Sequence, residues 1–243
     1  MSGYSNNSRG AGRIIPAYAA AVPPIDRELR GFMLRVFNTM AGGLAVTGFV
    51  AYVSAVSGIY AAIAGTPLFW LVLLAPFGLA LLLSFRIGQM SPAAAQAAFW
   101  GYAALMGLSL AGIFLVYTGT SIARVFFISA ATFAATAAWG YATRTDLSRF
   151  GSFLVMGLIG VVLASLVNLF VGSSALQFAL SVVGVVVFTG LAAWDTQRLK
   201  TMFVENRGVA GTGNMAIMGA LMLYLDFVNL FISLLQLVGV RRD

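Results

Sequence analysis

The sequence contains no cysteine and no histidine. Without cysteine the chain can form no disulfide and no thiolate nucleophile, and without both residues it lacks the usual ligands of a zinc site. The absence of histidine also removes the side chain that most often performs general acid–base catalysis near neutral pH. The carboxylates are therefore the main candidates for proton or metal chemistry, and the chain has only seven of them.

Charged residues of both signs are scarce, at 9% of the chain, whereas hydrophobic residues make up 60%. Soluble domains carry roughly 25% charged residues, so this composition indicates an integral membrane protein. The apolar runs are continuous and lack the short apolar–polar alternation of a transmembrane β-barrel. We therefore predict an all-α membrane protein. The net charge of +7 lies mainly at the ends of the apolar runs, which favours topology and contact with lipid headgroups over a nucleic-acid partner.

Seven apolar segments follow a polar N-terminal tail, and each approaches the roughly 20 residues that a membrane span needs. The segments cover residues 32–56, 67–85, 94–117, 122–142, 151–171, 175–197 and 215–239. We predict a seven-helix membrane domain over residues 29–243, preceded by a polar cytoplasmic tail over residues 1–28. The tail lacks the apolar stretch of a signal peptide.

The distribution of lysine and arginine predicts a cytoplasmic N-terminus. With the N-terminus inside, eleven of the 14 basic residues fall on the cytoplasmic side and three fall outside, which is the bias that the positive-inside rule describes. The cytoplasmic set is Arg9, Arg13, Arg27, Arg30, Arg35, Arg86, Arg144, Arg149, Arg198, Lys200 and Arg207. The outer set is Arg124, Arg241 and Arg242. The rule leaves open whether the last segment crosses the membrane or re-enters.

The last segment carries a carboxylate near its middle. Polar residues occur in this segment at helical spacing, namely Asp226, Asn229, Ser233 and Gln236. On a helix they form one polar stripe on an otherwise apolar surface. A charged aspartate at bilayer depth costs about 2.5–3.5 kcal/mol on insertion scales, and such residues usually face a bundle interior or a water-filled path. We predict that this C-terminal helix lies at the centre of the bundle and that Asp226 is functional.

Asp195 is the second candidate, at the cytoplasmic end of the sixth segment. A short polar loop joins the last two segments, so they should be antiparallel neighbours. Two carboxylates brought together in a low dielectric could share a proton or, when deprotonated, bind a hard cation such as calcium. An ion pair between Asp195 and Arg198 is an equally supported interpretation. Counted from the predicted segment ends, the depths of the two aspartates differ by about 10 Å. Pairing therefore requires the sixth helix to run past the hydrocarbon or the seventh to begin outside it.

Arg86 ends the second segment on the same side and is the third candidate. It could neutralise one aspartate and close the path, although snorkelling toward the headgroups is the simpler interpretation. The other acidic residues lie in tails and loops, where we expect solvated or helix-capping roles. They are Asp26, Glu28, Asp146, Glu205 and Asp243.

The sequence offers no support for catalysis. No phosphate-binding loop of the Walker type is present, and the glycines between Gly208 and Gly213 follow no predicted strand. Gly107-Leu-Ser-Leu-Ala-Gly112 lacks the pattern of an intramembrane serine protease, and the chain has no histidine to serve as its base. We therefore expect the protein not to be an enzyme.

Four stretches resemble the bacterial members of the Bax inhibitor-1 (transmembrane Bax inhibitor motif) family. Leu223-Tyr-Leu-Asp-Phe-Val-Asn-Leu-Phe231 is similar to the last-helix signature of the family, and Ala193-Trp-Asp-Thr-Gln197 to its sixth-helix motif, which usually has tyrosine where Trp194 stands. Ala104-Leu-Met-Gly-Leu-Ser-Leu110 and Thr145-Asp-Leu-Ser148 match two further stretches.

The resemblance implies a seven-helix fold in which the last helix is wrapped by the other six. It also implies a pH-sensitive calcium leak controlled by an aspartate pair, which falls on Asp195 and Asp226, with Arg86 approximately at the position of a latching arginine. Some bacterial relatives carry an acid within the second helix, and Leu68–Leu83 contains none.

Two functional hypotheses follow. The first is a calcium leak channel of the bacterial inner membrane, with Asp195 and Asp226 as the pH-sensing and metal-binding residues and calcium as a permeant or transiently bound ion, without a resident cofactor. The alternative is a non-channel regulator that binds a membrane protease of the AAA type through the tail of residues 1–28. A third interpretation, a scaffold with structural aspartates, predicts stability effects alone.

Overall fold

The structure is a computed structural model, and it describes residues 24–206 and 212–242. These residues form nine α-helices and a short 3-10 turn over Ile87–Gln89, with no strand among them. The helices are α1 (Pro24–Val56), α2 (Ile59–Ala64), α3 (Leu68–Arg86), α4 (Pro92–Leu110), α5 (Ile113–Val116), α6 (Gly119–Ala142), α7 (Ser148–Val171), α8 (Ser174–Glu205) and α9 (Thr212–Val238).

The described residues contain seven helical spans that are long and apolar enough to cross a membrane. The third span runs through α4 and α5, and α2 is a short piece in the connection between α1 and α3. This confirms the all-α class and the seven predicted spans. The exterior of the bundle is apolar, with Phe170 88% and Phe85 79% exposed, as expected for helices that face lipid tails. Because α1 begins at Pro24, residues 24–28 are helical although they were assigned to the tail. Residues 1–23 lie outside the described residues, so the tail stays a prediction.

Capping residues and a glycine mark the starts and ends of several helices close to the predicted segment limits. The Ser91 hydroxyl accepts a hydrogen bond from the Ala94 N–H at the start of α4, and Pro92 occupies the first turn, where its missing N–H is not needed. Ser173 caps α8 in the same way. α7 ends at Val171, and the next residue, Gly172, has a φ of 66° that glycine adopts at little cost.

Helix α9 is the centre of the bundle, as predicted. In its most apolar window 61% of the residues are buried, against 6–33% in the other six spans. Helices α1, α4, α6 and α8 pack closely against it, whereas α3 and α7 form an outer layer whose main neighbours are α4 and α8. Of the six helices that were expected to wrap the last one, four are therefore its close neighbours in the described part of the chain.

The last helix extends from one end of the bundle to the other. At the N-terminal end, where α1 begins, the Asn214 amide donates to the carbonyls of Ile87 and Met90 at 3.1 and 2.7 Å. At the opposite end the Arg242 N–H donates to the Val116 carbonyl at 2.9 Å, and Val240 pairs with the start of α6. This answers the question that the positive-inside rule left open, because α9 does not turn back within the bundle.

Helix α3 contains Pro76, which has no N–H for the Val72 carbonyl one turn earlier. The hydroxyl of Ser109 on α4 donates a hydrogen bond to that carbonyl. A backbone carbonyl without a partner is costly in a bilayer, so α4 completes the hydrogen bonding of α3 at the point where proline interrupts it.

Candidate cation site between the last two helices

Asp195 and Asp226 lie on antiparallel helices, α8 and α9, which pack along most of their length. Helix α8 continues to Glu205, eight residues past the predicted end of the sixth segment at residue 197, and α9 begins at Thr212. Asp195 is then ten residues from the end of α8 and Asp226 fourteen from the start of α9, or about 15 and 21 Å along the helix axes. The difference in depth that opposed pairing falls from about 10 Å to about 6 Å, because the sixth helix is longer than its apolar run.

The two carboxyl groups face each other in the bundle interior. Asp195 is 7% and Asp226 6% exposed, and the two carboxyl groups interact directly with each other. Asp195 Oδ1 and Asp226 Oδ2 have no hydrogen-bond donor among the described residues. Two ionised carboxylates in contact repel each other, and a proton or a cation between them removes that repulsion.

In the part of the chain that the structure describes, neither Arg198 nor Arg86 forms an ion pair with the two aspartates. Arg198 lies closest in sequence, and its charge acts on Asp195. Its guanidinium, however, stacks over the Trp194 ring at 5.2 Å, and the side chain is exposed. Arg86 ends α3 with an exposed side chain. The structure thus brings the two aspartates together and leaves Arg86 apart from them.

The polar stripe of α9 divides into two parts. Ser233 faces α8, where a Cβ added to Gly184 would lie 2.5 Å from the Ser233 hydroxyl, so only glycine leaves room for it. Gln236 accepts a hydrogen bond from the Gln177 amide at 2.7 Å. The Ser181 hydroxyl lies 3.2 Å from the same Gln236 oxygen, and its proton goes to the nearer Gln177 carbonyl at 2.8 Å. With Asp226, these residues place polar groups along the α8–α9 interface. Asn229, in contrast, donates to the Leu225 carbonyl of its own helix.

A second polar contact reaches α9 from the other side and was not expected from the sequence. The Thr47 hydroxyl of α1 donates to the Ala103 carbonyl of α4 at 2.8 Å, so its oxygen accepts the Tyr224 hydroxyl proton at 2.6 Å. Thr47 has one proton to donate, and the Ala103 contact uses it. Tyr224 lies two residues before Asp226, but nothing in the sequence points to a partner 177 residues away.

The acids that were expected to be solvated or capping lie outside the interior. Asp26, Glu28 and Glu205 are exposed, and Asp243 lies outside the described residues. Asp146 Oδ1 accepts the Ser148 N–H at 2.9 Å before α7 begins. This backbone hydrogen bond, together with the nearby Ser148 hydroxyl and Arg149, lowers the pKa of Asp146 from its usual value.

The loop of Asp146 is also fixed to the sixth span. Gln197 accepts the Leu147 N–H and donates to the Thr145 carbonyl, both at 2.8 Å. Two of the stretches singled out in the sequence, Ala193–Gln197 and Thr145–Ser148, are therefore in direct contact through one side chain. This contact lies at the same end of the bundle as the α8–α9 connection.

The described residues contain no group of three or more carboxylates that could hold a metal ion. Calcium takes six to eight oxygen ligands, whereas the Asp195–Asp226 pair offers at most four. A cation bound there would keep part of its water shell.

Comparison with known proteins decides the family. The sequence profile of the family described as "Inhibitor of apoptosis-promoting Bax1" matches residues 29–243. The chain belongs to the Bax inhibitor-1 family. The matched region begins within the first span of this Bax inhibitor-1 protein and covers the other six completely, and the family resemblance proposed from its motifs is confirmed.

Three bacterial relatives align with the chain over nearly their whole length. Protein RP147 of Rickettsia prowazekii, which is uncharacterised, is 47% identical over 219 residues, covering 90% of this chain and 93% of the relative. An uncharacterised protein of Caulobacter vibrioides is 42% identical over 247 residues, covering 97% and 98%. The inner membrane protein YbhL of Escherichia coli K12 is 43% identical over 218 residues, covering 88% and 93%.

Proposed function

We propose that this Bax inhibitor-1 protein is a pH-sensitive calcium leak channel of the bacterial inner membrane. The observation that carries the proposal is the pairing of Asp195 and Asp226 at the interface of α8 with the central helix α9. Each aspartate has a carboxyl oxygen that lacks a donor among the described residues. Ionisable groups inside membrane bundles usually mark ion or proton pathways. The location is supported by the name of YbhL, an inner membrane protein.

Protons and calcium would compete for the same carboxyl oxygens. When the pair holds a shared proton, its charge is reduced and its affinity for a divalent cation falls. When both groups are ionised, a calcium ion between them would relieve their repulsion. This competition makes cation binding weaker as the pH falls, and it is the physical basis for pH sensitivity.

The α8–α9 interface supplies polar groups beyond the pair. Toward the end of the bundle opposite to the N-terminus, Ser233 and then Gln236 follow Asp226 along α9, and Gln177 and Ser181 face Gln236 from α8. These groups could replace part of the water shell of a passing ion. The closing role of Arg86 stays a prediction, since it requires movement of an exposed side chain toward the interior.

The proposal is tested by calcium flux into proteoliposomes over a series of pH values. We expect the wild type to conduct in a pH-dependent manner and both Asp195→Asn and Asp226→Asn to flatten that dependence, because each substitution removes one titrating group at nearly constant volume. Asp146→Asn is the matched control, since it changes an exposed aspartate outside the bundle interior and should conduct like the wild type.

Unfolding temperatures of the same variants separate the other hypotheses. A scaffold role predicts that the two interior substitutions lower the unfolding temperature and change no flux. Absence of flux at every pH in folded, inserted wild-type protein would contradict the channel. It would favour the protease-binding alternative. The segment expected to bind the protease, residues 1–28, lies mostly outside the described residues.

A further inference from the structure

An apolar groove opens on the side of the bundle between α1 and α6. Both helices pack against α9, yet they barely touch each other. The groove has a volume of about 950 Å³, and we call it the α1/α6 groove. Small side chains make it wide, because each helix presents alanines at helical spacing toward the gap. They are Ala41 and Ala45 on α1 and Ala130, Ala134 and Ala138 on α6.

The floor and the length of the groove fit a lipid chain. Phe133 of α6 and Phe227 of α9 line it and contact each other, with ring centroids 5.6 Å apart. From Arg30 to Gly48 the lining of α1 covers about 27 Å of helix, close to the roughly 30 Å of a bilayer core. Phe133 lies two turns, about 12 Å, from Tyr141, which is near the depth of one leaflet.

The charged group of the groove lies at its N-terminal end. Arg30 and Tyr141 line it there, Asn38 lies about 12 Å deeper along α1, and none of the described carboxylates lines the groove. Lys200 donates to the Tyr141 carbonyl at 3.0 Å and lies 5.2 Å from the centre of the Tyr141 ring. Arg30 therefore stands at the mouth on the α1 side, and Lys200 of α8, which does not itself line the groove, lies against Tyr141 on the α6 side. A long apolar trough with basic residues at one end matches an amphipathic anion.

We propose that the α1/α6 groove is a binding site for an anionic phospholipid. Its phosphate lies at the mouth beside Arg30, with Lys200 as a second cation at the same end of the bundle, and one acyl chain follows the alanines down to Phe133 and Phe227. The lipid belongs to the leaflet at the N-terminal end, where juxtamembrane cations attract anionic headgroups. Because Phe227 follows Asp226 directly, the bound chain would pack against α9 beside the aspartate pair. The site does not depend on any ion flux.

Native mass spectrometry of the delipidated full chain in detergent tests the site. The probes are dioleoyl phosphatidylglycerol and dioleoyl phosphatidylcholine at equal concentration. We expect wild-type protein to retain phosphatidylglycerol preferentially. Arg30→Gln should reduce that preference about fivefold, the factor that one surface cation contributes toward anionic lipid. Ala134→Phe should abolish retention of both lipids, because the ring fills the groove.

Matched controls distinguish the groove from general lipid contact. Arg149→Gln removes an exposed arginine at the same end, and Ala135→Phe adds a ring to α6 one residue outside the lining; both should bind lipid like the wild type. Ala41→Phe fills the groove from α1, should Ala134→Phe fail to fold. Equal retention of the two lipids by the wild type, or unchanged retention in a folded groove-filling variant, would overturn the proposal.

Discussion

Asp195 and Asp226 each keep one carboxyl oxygen without a donor in the interior formed by the described residues. A buried polar atom without a partner costs roughly 1–3 kcal/mol, and more if it is charged, so the pair is a poor device for holding two helices together. An apolar pair of similar volume would serve packing better. The arrangement therefore supports a role in binding protons or cations more strongly than a structural one.

Asp146 behaves differently because it is exposed and its partner is a backbone N–H. The Ser148 hydrogen bond favours the ionised carboxyl and lowers the pKa of Asp146. A lowered pKa adds stability above the unfolded-state value, and that stability is lost as the pH falls through the folded-state value. We expect Asp146→Ala to lower the unfolding temperature near neutral pH, with a difference from the wild type that shrinks on acidification, as followed by circular dichroism in detergent.

Asp146→Asn is the control for the turn before α7. Its amide oxygen can still accept the Ser148 N–H but does not titrate. This variant should keep most of the stability and show a smaller dependence on pH than the wild type. A gap between wild type and Asp146→Ala that stays constant from about pH 7 to about pH 3 would contradict the role assigned to the carboxylate.

The residues of the candidate site differ in how well they could be predicted from the sequence. Asp226 could be predicted because a carboxylate in a long apolar run has few explanations. The pairing with Asp195 was harder to predict, since it depends on where α8 ends. The contact between Tyr224 and Thr47 could not be predicted, because the spacing within one segment carries no information on a partner in a distant one.

The close approach of α6 and α8 depends on a single glycine. A Cβ at Gly140 would lie 2.2 Å from the Ala193 carbonyl oxygen. Backbone cannot yield as a flexible side chain does, so the two helices would have to separate. We expect Gly140→Ala to destabilise the protein by about 1–3 kcal/mol, the usual range for overpacking, measured by reversible unfolding in mixed detergent micelles.

Gly160→Ala on α7 is the matched control for this contact. A Cβ there meets nothing within 4 Å, and alanine has the higher helix propensity by about 1 kcal/mol. This variant should be as stable as the wild type or more so. If Gly140→Ala and Gly160→Ala were equally tolerated, α6 and α8 could not be as close as the structure places them.

The helices themselves were largely predictable, and their extensions were not. Hydropathy locates the part of a helix that lies in hydrocarbon, so the seven segments agree with the seven long helices to within a few residues, except at the helix ends that leave the apolar region. The last turns of α8 contain Arg198, Lys200 and Glu205, which hydropathy scores as a loop. The hydrogen bond from Ser109 to the Val72 carbonyl depends on which helices are neighbours, and composition does not contain that information.

The bundle as a whole is organised by the burial of α9. The sequence predicted this position from the polar stripe, which must avoid lipid. It did not predict that only four helices pack closely on α9 or that α1 and α6 leave a groove. Both features follow from the side-chain volumes along facing helices, above all the alanines of α1 and α6, which can be evaluated only once the neighbours are known.

Because α9 extends from one end of the bundle to the other, its two ends should lie on opposite sides of the membrane. The chain has no cysteine, so single substitutions give unambiguous labelling sites. Gly88→Cys lies at the N-terminal end of the bundle, and Arg242→Cys lies at the opposite end beside the α5–α6 connection. With the N-terminus inside, a membrane-impermeant maleimide should label Arg242→Cys in spheroplasts and Gly88→Cys only after the membrane is permeabilised.

Gly65→Cys serves as the control, because it lies in the α2–α3 connection at the same end as Arg242, and an added Cβ meets nothing there. It should label together with Arg242→Cys. The opposite pattern for all three sites would invert the predicted orientation and leave the fold unchanged. Labelling of Arg242→Cys together with Gly88→Cys and apart from Gly65→Cys would mean that α9 re-enters. The polar groups that follow Asp226 along α9 would then return to the side from which they started and could not form a path across the membrane.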